Sequence, residues 1–117
     1  MSIIRALKRE LKVPYDDNDA NALLEKKGFN AHDVRGTREW GEPCVPMAYF
    51  SIKGDLQMCE WLHANGAADD LSWANPETGS TPMHFACQNG HLPVCEWLLK
   101  VGAAGDITKL NLFGQPP

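Results

Sequence analysis

The chain has 117 residues, 44% of them hydrophobic and 22% charged, with a formal net charge of −4. That length accommodates one ordinary domain and not two, and the balance of apolar and charged residues excludes wholesale disorder. The acidic balance disfavours nucleic acid as the main partner, because phosphate recognition needs a basic surface, and no apolar run approaches the roughly 18–20 residues that cross a bilayer.

Met1 to Lys12 has neither the apolar block nor the small-residue cleavage site of a secretory signal. Ile3-Ile4-Arg5-Ala6-Leu7 mimics an organelle-targeting helix, but Glu10 and Asp16-Asp17-Asn18-Asp19 follow too closely for that reading. The expected compartment is therefore cytoplasmic or nucleoplasmic. Ile3 to Leu11 reads as a short helix ended before Pro14. Asp16 to Asp19 supplies N-cap chemistry for a second helix through Asn21-Ala22-Leu23-Leu24-Glu25-Lys26-Lys27, with Gly28 as its stop.

From residue 44 onward the chain resembles itself. Shifting residues 44–70 by 36 onto residues 80–106 gives 12 identities in 27 pairs, where unrelated sequence would give roughly two. Pro46-Met47 meets Pro82-Met83, Gly54-x-Leu56 meets Gly90-x-Leu92, and Cys59-Glu60-Trp61-Leu62 meets Cys95-Glu96-Trp97-Leu98. Gly66-Ala67-Ala68 meets Gly102-Ala103-Ala104, and Asp70 meets Asp106. Coincidence of the rare residues Trp and Cys makes a duplication secure.

Each copy reads as two short helices. In the second, Thr81 is placed as an N-cap and Pro82 stands at the first helical position, where its missing N–H costs nothing. The first helix extends from Pro82 to about Gln88, and Asn89-Gly90 ends it in a left-handed turn. A second helix follows from Leu92 to Lys100, with Leu92, Cys95, Leu98 and Leu99 at helical spacing, and Gly102 closes it. Neither helix reaches the roughly 12–15 residues required for marginal stability alone. Such units persist only by laying apolar faces on one another, which makes an all-α solenoid.

Gly79-Ser80-Thr81-Pro82-Met83-His84-Phe85-Ala86, with Asn89-Gly90-His91-Leu92 and Leu98-Leu99-Lys100-Val101-Gly102-Ala103, resembles an ankyrin repeat along nearly its whole length. The resemblance is strong over residues 75–108 and good over 40–74. The 36-residue spacing exceeds that family's 33, and the extra residues are placed at about Leu71 to Asn75. It implies a single domain over 1–117, with a divergent N-terminal capping unit at 1–39, repeats at 40–74 and 75–110, and a truncated repeat beginning at 111–117. The count is about two and a half to three repeats. Gly114-Gln115-Pro116-Pro117 opens that last copy as Gly79-Ser80-Thr81-Pro82 opens the second. In the first copy Val45 replaces the threonine and Ala48 the histidine, so its turn is expected to hold less firmly.

No residue set demands catalysis, a cofactor or a metal. Thr81 and His84 have the spacing of the repeat signature, not of a catalytic pair, and His91 reads as a partly exposed structural residue. Cys44, Cys59, Cys87 and Cys95 form no Cys-x-x-Cys pair, and zinc sites usually show ligands two to four residues apart. They are expected as reduced thiols in the core. Cys59 and Cys95 hold equivalent places on neighbouring helices about 8–10 Å apart, too far for a disulfide. The acidic clusters Asp69-Asp70 and Asp16 to Asp19 lack the glycine and terminal glutamate of a calcium loop. Trp61 and Trp97 recur at one helix position and are expected as stacked core residues. Trp40 and Trp73 lie in connecting segments, where each either seals the apolar stripe or anchors a partner.

The resemblance also implies a contact surface made of projecting turns and the concave face of the first helices. Matched to this sequence, the fingertip residues are Glu42, Glu77, Thr78 and Ser80. Ile52 and Lys53, with Gln88 and Asn89, line the helix-end side, and Ile52 is the favoured anchor. The implied function is a non-catalytic module that binds another protein, without nucleic acid or membrane insertion. The alternative is an assembly subunit held permanently in a larger complex. Stopping at Pro116-Pro117 leaves the last full unit without a polar cap, so a longer array or docking through that uncapped C-terminal end is expected.

Overall fold

In the computed structural model, residues 15–103, 105–106, 111 and 114–117 are described. The expected helix at Ile3 to Leu11 lies outside them. The described residues are all-α, with no strand. Helix α1 spans Asp17–Lys26, α2 Pro46–Lys53, α3 Leu56–Leu62, α4 Pro82–Gln88 and α5 Leu92–Val101. No described helix is long and apolar enough to cross a membrane.

Local chemistry sets the helix starts. The Asp16 carboxylate accepts from the Asp19 amide at 2.8 Å and caps α1. Asp55 does the same for α3 through the Met58 amide at 3.2 Å. At α4 the cap is reciprocal: the Thr81 hydroxyl accepts from the His84 amide, and the His84 ring accepts from the Thr81 amide. The corresponding residue before α2, Val45, makes no side-chain cap bond, as its chemistry requires.

Helices α2 and α3 form one antiparallel pair, and α4 and α5 the next. The first helices, α2 and α4, pack side by side, as do the second helices, α3 and α5. The shared core contains Met47, Phe50, Met58, Leu62, Met83, Val94 and Leu98, all nearly or fully buried. Burying each such side chain contributes roughly 1.5–3 kcal/mol, which supplies what helices of seven to ten residues lack alone. Ala20, Leu23 and Leu24 on α1 join the same cluster.

Polar bonds tie successive units together. Asp70, buried, accepts from Arg35 Nε and Nη2 at 3.1 and 3.0 Å. Thirty-six residues on, buried Asp106 accepts from the Ser72 hydroxyl at 2.7 Å. The His91 ring approaches the Ile52 carbonyl, with Nε2 at 2.8 Å. That approach runs over Gly54, where a Cβ would lie 2.5 Å from the imidazole and φ is +72°. Glycine is required there by both space and backbone.

Ala68–Ser72 winds into a 3-10 turn, and Leu71 is buried. Two expectations are corrected. Trp61 and Trp97 lie on equivalent helices but are half-buried and meet different partners. Trp61 Nε1 donates to Asp17 at 3.1 Å, and Trp97 sits edge-on to His63 at 5.7 Å. The second correction concerns Ser80, which is buried at the base of its turn.

Candidate interaction surface

Similar backbone bonds form at Asn75 and at Asn111. In the 75–80 turn the Asn75 amide donates to the Ser80 carbonyl at 2.9 Å, and the Gly79 amide to the Asn75 carbonyl at 2.6 Å. The Asn111 amide donates to the Gln115 carbonyl at 2.9 Å, and the Gly114 amide to the Asn111 carbonyl at 3.0 Å, each bond spanning one residue fewer. Gly79 and Gly114 have nearly equal φ, 70° and 74°. His84, fully buried, joins the two segments: its Nδ1 accepts from the Thr81 amide, so Nε2 carries the proton and donates to the Gln115 carbonyl at 3.1 Å.

The projecting turns place the candidate residues unequally. Glu77 is exposed and Thr78 half-buried; both backbone amides donate to the Asn75 side chain, which stiffens the fingertip. Ser80 does not reach that tip: its amide donates to the Thr78 hydroxyl, and the Asn111 side chain lies 3.5 Å from its hydroxyl. Glu42 is exposed in the preceding turn. Trp73 packs half-buried against the core.

Trp40 is different. It is 57% exposed, and its indole covers Gly28, where a Cβ would come within 2.8 Å of Cε2. The Arg38 guanidinium lies 5.1 Å from the Trp40 ring, 4.6 Å from the Tyr49 ring and 5.7 Å from the Phe29 ring. Arg38 Nε donates to the Lys27 carbonyl at 2.9 Å, which fixes the cation in place. Lys53 approaches the same Tyr49 ring at 5.6 Å. Trp40 and Lys53, proposed separately from sequence, thus belong to one strip running through Arg38 and Tyr49 to the end of α2. Arg38 and Tyr49 were missed because cation–aromatic contacts between a turn and a helix leave no fixed spacing in sequence.

At the ends of the first helices, Lys53, Gln88 and Asn89 are exposed. The Asn89 amide nitrogen donates to the Phe85 carbonyl at 2.7 Å, which commits part of its hydrogen-bonding capacity to closing α4. Ile52 is half-buried, with its carbonyl facing His91, and is less open than the Trp40 indole. Pro46 to Lys53 and Pro82 to Gln88 are equivalent helices packed side by side. Residues 52–53 and 88–89 therefore stand at matching ends of one face.

Elsewhere, a cavity of about 520 Å³ is lined by Tyr15, Asp55, Leu56, Glu60, Trp61 and Pro93 among others. Its Tyr15 hydroxyl donates to Asp55 at 3.2 Å. The four thiols are free. Among the described residues no group of three or more His, Cys, Asp or Glu side chains is arranged to hold a metal ion.

The family described as ankyrin repeats (many copies) matches residues 47–99, the span from α2 through most of α5. A comparison with curated proteins gives no match. Ankyrin repeats generally mediate protein–protein interaction and are generally non-enzymatic. The duplicated helix pairs, the reciprocal Thr81–His84 cap and the family match agree that residues 47–99 are similar to ankyrin repeats.

Proposed function

We propose that the chain is a non-catalytic protein-binding module in a single domain. Its recognition surface runs from Trp40 past Arg38, which rests over the buried Tyr49 ring, to Lys53, and on to Gln88 and Asn89, with Glu42, Glu77 and Thr78 at the flanking tips. The observation that carries this reading is the exposed Trp40 indole, held by Gly28 beneath it and Arg38 beside it. A large aromatic ring fixed before binding contributes contact area at little ordering cost, which is why Trp and Arg dominate interface hot spots. Residues 15–39 serve as the unit that covers the first repeat, contributing Leu23, Leu24 and Phe29 to its core.

A second reading, an assembly subunit held in a larger complex, is favoured by one observation. Leu92 and Leu99 on α5 are 63% and 40% exposed and lie about two turns apart on one side of the helix.

Photo-crosslinking distinguishes the two. A photoreactive residue at Lys53 or Gln88 is expected to capture a distinct protein, and Trp40→Ala to reduce that capture at least tenfold, as hot-spot losses above about 1.4 kcal/mol do. Capture only from Glu96, on α5 between Leu92 and Leu99, would replace the first reading with the second.

A further inference from the structure

Cys87 lies in the last turn of α4 and Cys95 near the start of α5, across the 89–91 connection that joins them. Their sulfur atoms are 3.2 Å apart. A disulfide requires about 2.05 Å, so closure takes roughly 1.1 Å of sulfur movement, within reach of small side-chain rotations.

The first unit supplies an internal control. Thirty-six residues earlier the equivalent positions are Ser51 and Cys59, whose side chains lie 3.8 Å apart. Ser51 is committed to structure, its hydroxyl donating to the Met47 carbonyl at 2.7 Å. The scaffold therefore accepts serine and cysteine alike at this place, and the second thiol in the later unit is not required for packing. What it adds is chemistry.

We infer that Cys87 and Cys95 form an oxidation site that takes a hydroperoxide and closes a reversible disulfide within one helix pair. The two thiols are not equivalent. Cys87 is half-buried, whereas Cys95 is buried. Burial, with the Cys87 thiol beside it, pushes the Cys95 thiol up to about 12. Cys87 is thus the sulfur that meets the oxidant first. Its thiolate attacks one peroxide oxygen, the O–O bond breaks, and the leaving oxygen takes a proton, giving Cys87 sulfenic acid and water or an alcohol. Cys95 sulfur then attacks the Cys87 sulfur; the S–O bond breaks, the S–S bond forms, and the departing hydroxide takes the Cys95 proton as water. Two thiols lose two electrons and two protons, and the peroxide gains both. A dithiol reductant reverses the step by exchange. This inference does not depend on the protein-binding reading.

The test uses the whole chain treated with hydrogen peroxide at one equivalent, followed by intact mass, thiol titration after unfolding, and peptide mapping. Expected are a monomer lighter by about 2 Da, from loss of two hydrogens, two remaining titratable thiols, and a Cys87–Cys95 linked peptide that dithiothreitol releases. Cys87→Ser, which installs the first unit's Ser51–Cys59 arrangement, is expected to keep the helical circular dichroism and to form no internal disulfide. Four free thiols after treatment, a disulfide joining two chains, or Cys87 carried to sulfinic acid with Cys95 untouched would each overturn the inference.

Discussion

His84 and His91 each span two parts of the fold, but only one of these roles was legible in sequence. The Thr81-Pro82-Met83-His84 spacing announces a local cap, and the reciprocal bonds realise it. The opposite ring nitrogen of His84 donates to the Gln115 carbonyl, and the His91 ring reaches Ile52 over Gly54. Those longer reaches depend on how units stack, and no local pattern records that. Cys59 gives a residue-scale prediction. It is fully buried, and burial pushes its thiol up to about 12. The unfolded chain releases this proton near the ordinary thiol value of about 8.5. Between those two values the unfolded state holds fewer protons than the native state, so stability falls as pH rises. The slope is about 1.4 kcal/mol per pH unit for this thiol, and the loss is absent below about pH 8. Urea midpoints measured from about pH 8 to pH 11 are expected to fall more steeply in the parent chain than in Cys59→Ala. Equal slopes would contradict the assignment.

Element boundaries were the most legible part of the chain. Pro82 to Gln88 was placed at its observed limits, and the helix from Leu92 ends one residue later than the apolar spacing indicated. Proline at the first turn and glycine after the last are strong punctuation, because each acts through the backbone of its own residue. The segment after Gly66 was harder to read. Ala68–Ser72 winds into a 3-10 turn that buries Leu71 and Asp70, and the tertiary bond from Arg35 to Asp70 is part of what holds it. The strip proposed for recognition was legible in pieces: exposed Trp40 and Lys53 stood out in sequence, while Arg38, which lies between the aromatic rings, looked like one charge among many. The unequal caps make a paired prediction. Val45→Thr would give α2 a hydroxyl for the Ala48 amide and is expected to raise stability by about 0.5–1 kcal/mol. Thr81→Val removes the existing cap from α4 and is expected to cost about 1 kcal/mol or more. Denaturant unfolding of both variants measures this; shifts of the same sign would refute it.

For the whole molecule, the duplication at 36 residues told more than any single motif. It implied that equivalent helices lie side by side, and α2 beside α4 with α3 beside α5 is the arrangement found. Repeat arrays draw their stability from contacts between neighbours, and here the interface is made by Met47, Phe50, Met83 and Leu98 with their neighbours on both units. Surfaces free of that packing are left for recognition, which is the physical basis for assigning binding to the turns and to the ends of the first helices. Sequence could not rank the exposed residues among themselves, because that depends on which ring rests over a glycine and which cation is held beside it.

Native-state hydrogen exchange in rising urea tests the stacked arrangement most directly. With one shared core, the amides of Met47 to Lys53 in α2 and Met83 to Gln88 in α4 are expected to merge into a single opening event with one free energy. Full exchange of α2 and α3 while α4 and α5 stay protected would show two independent units, and the account of how this chain folds and presents its binding surface would fail.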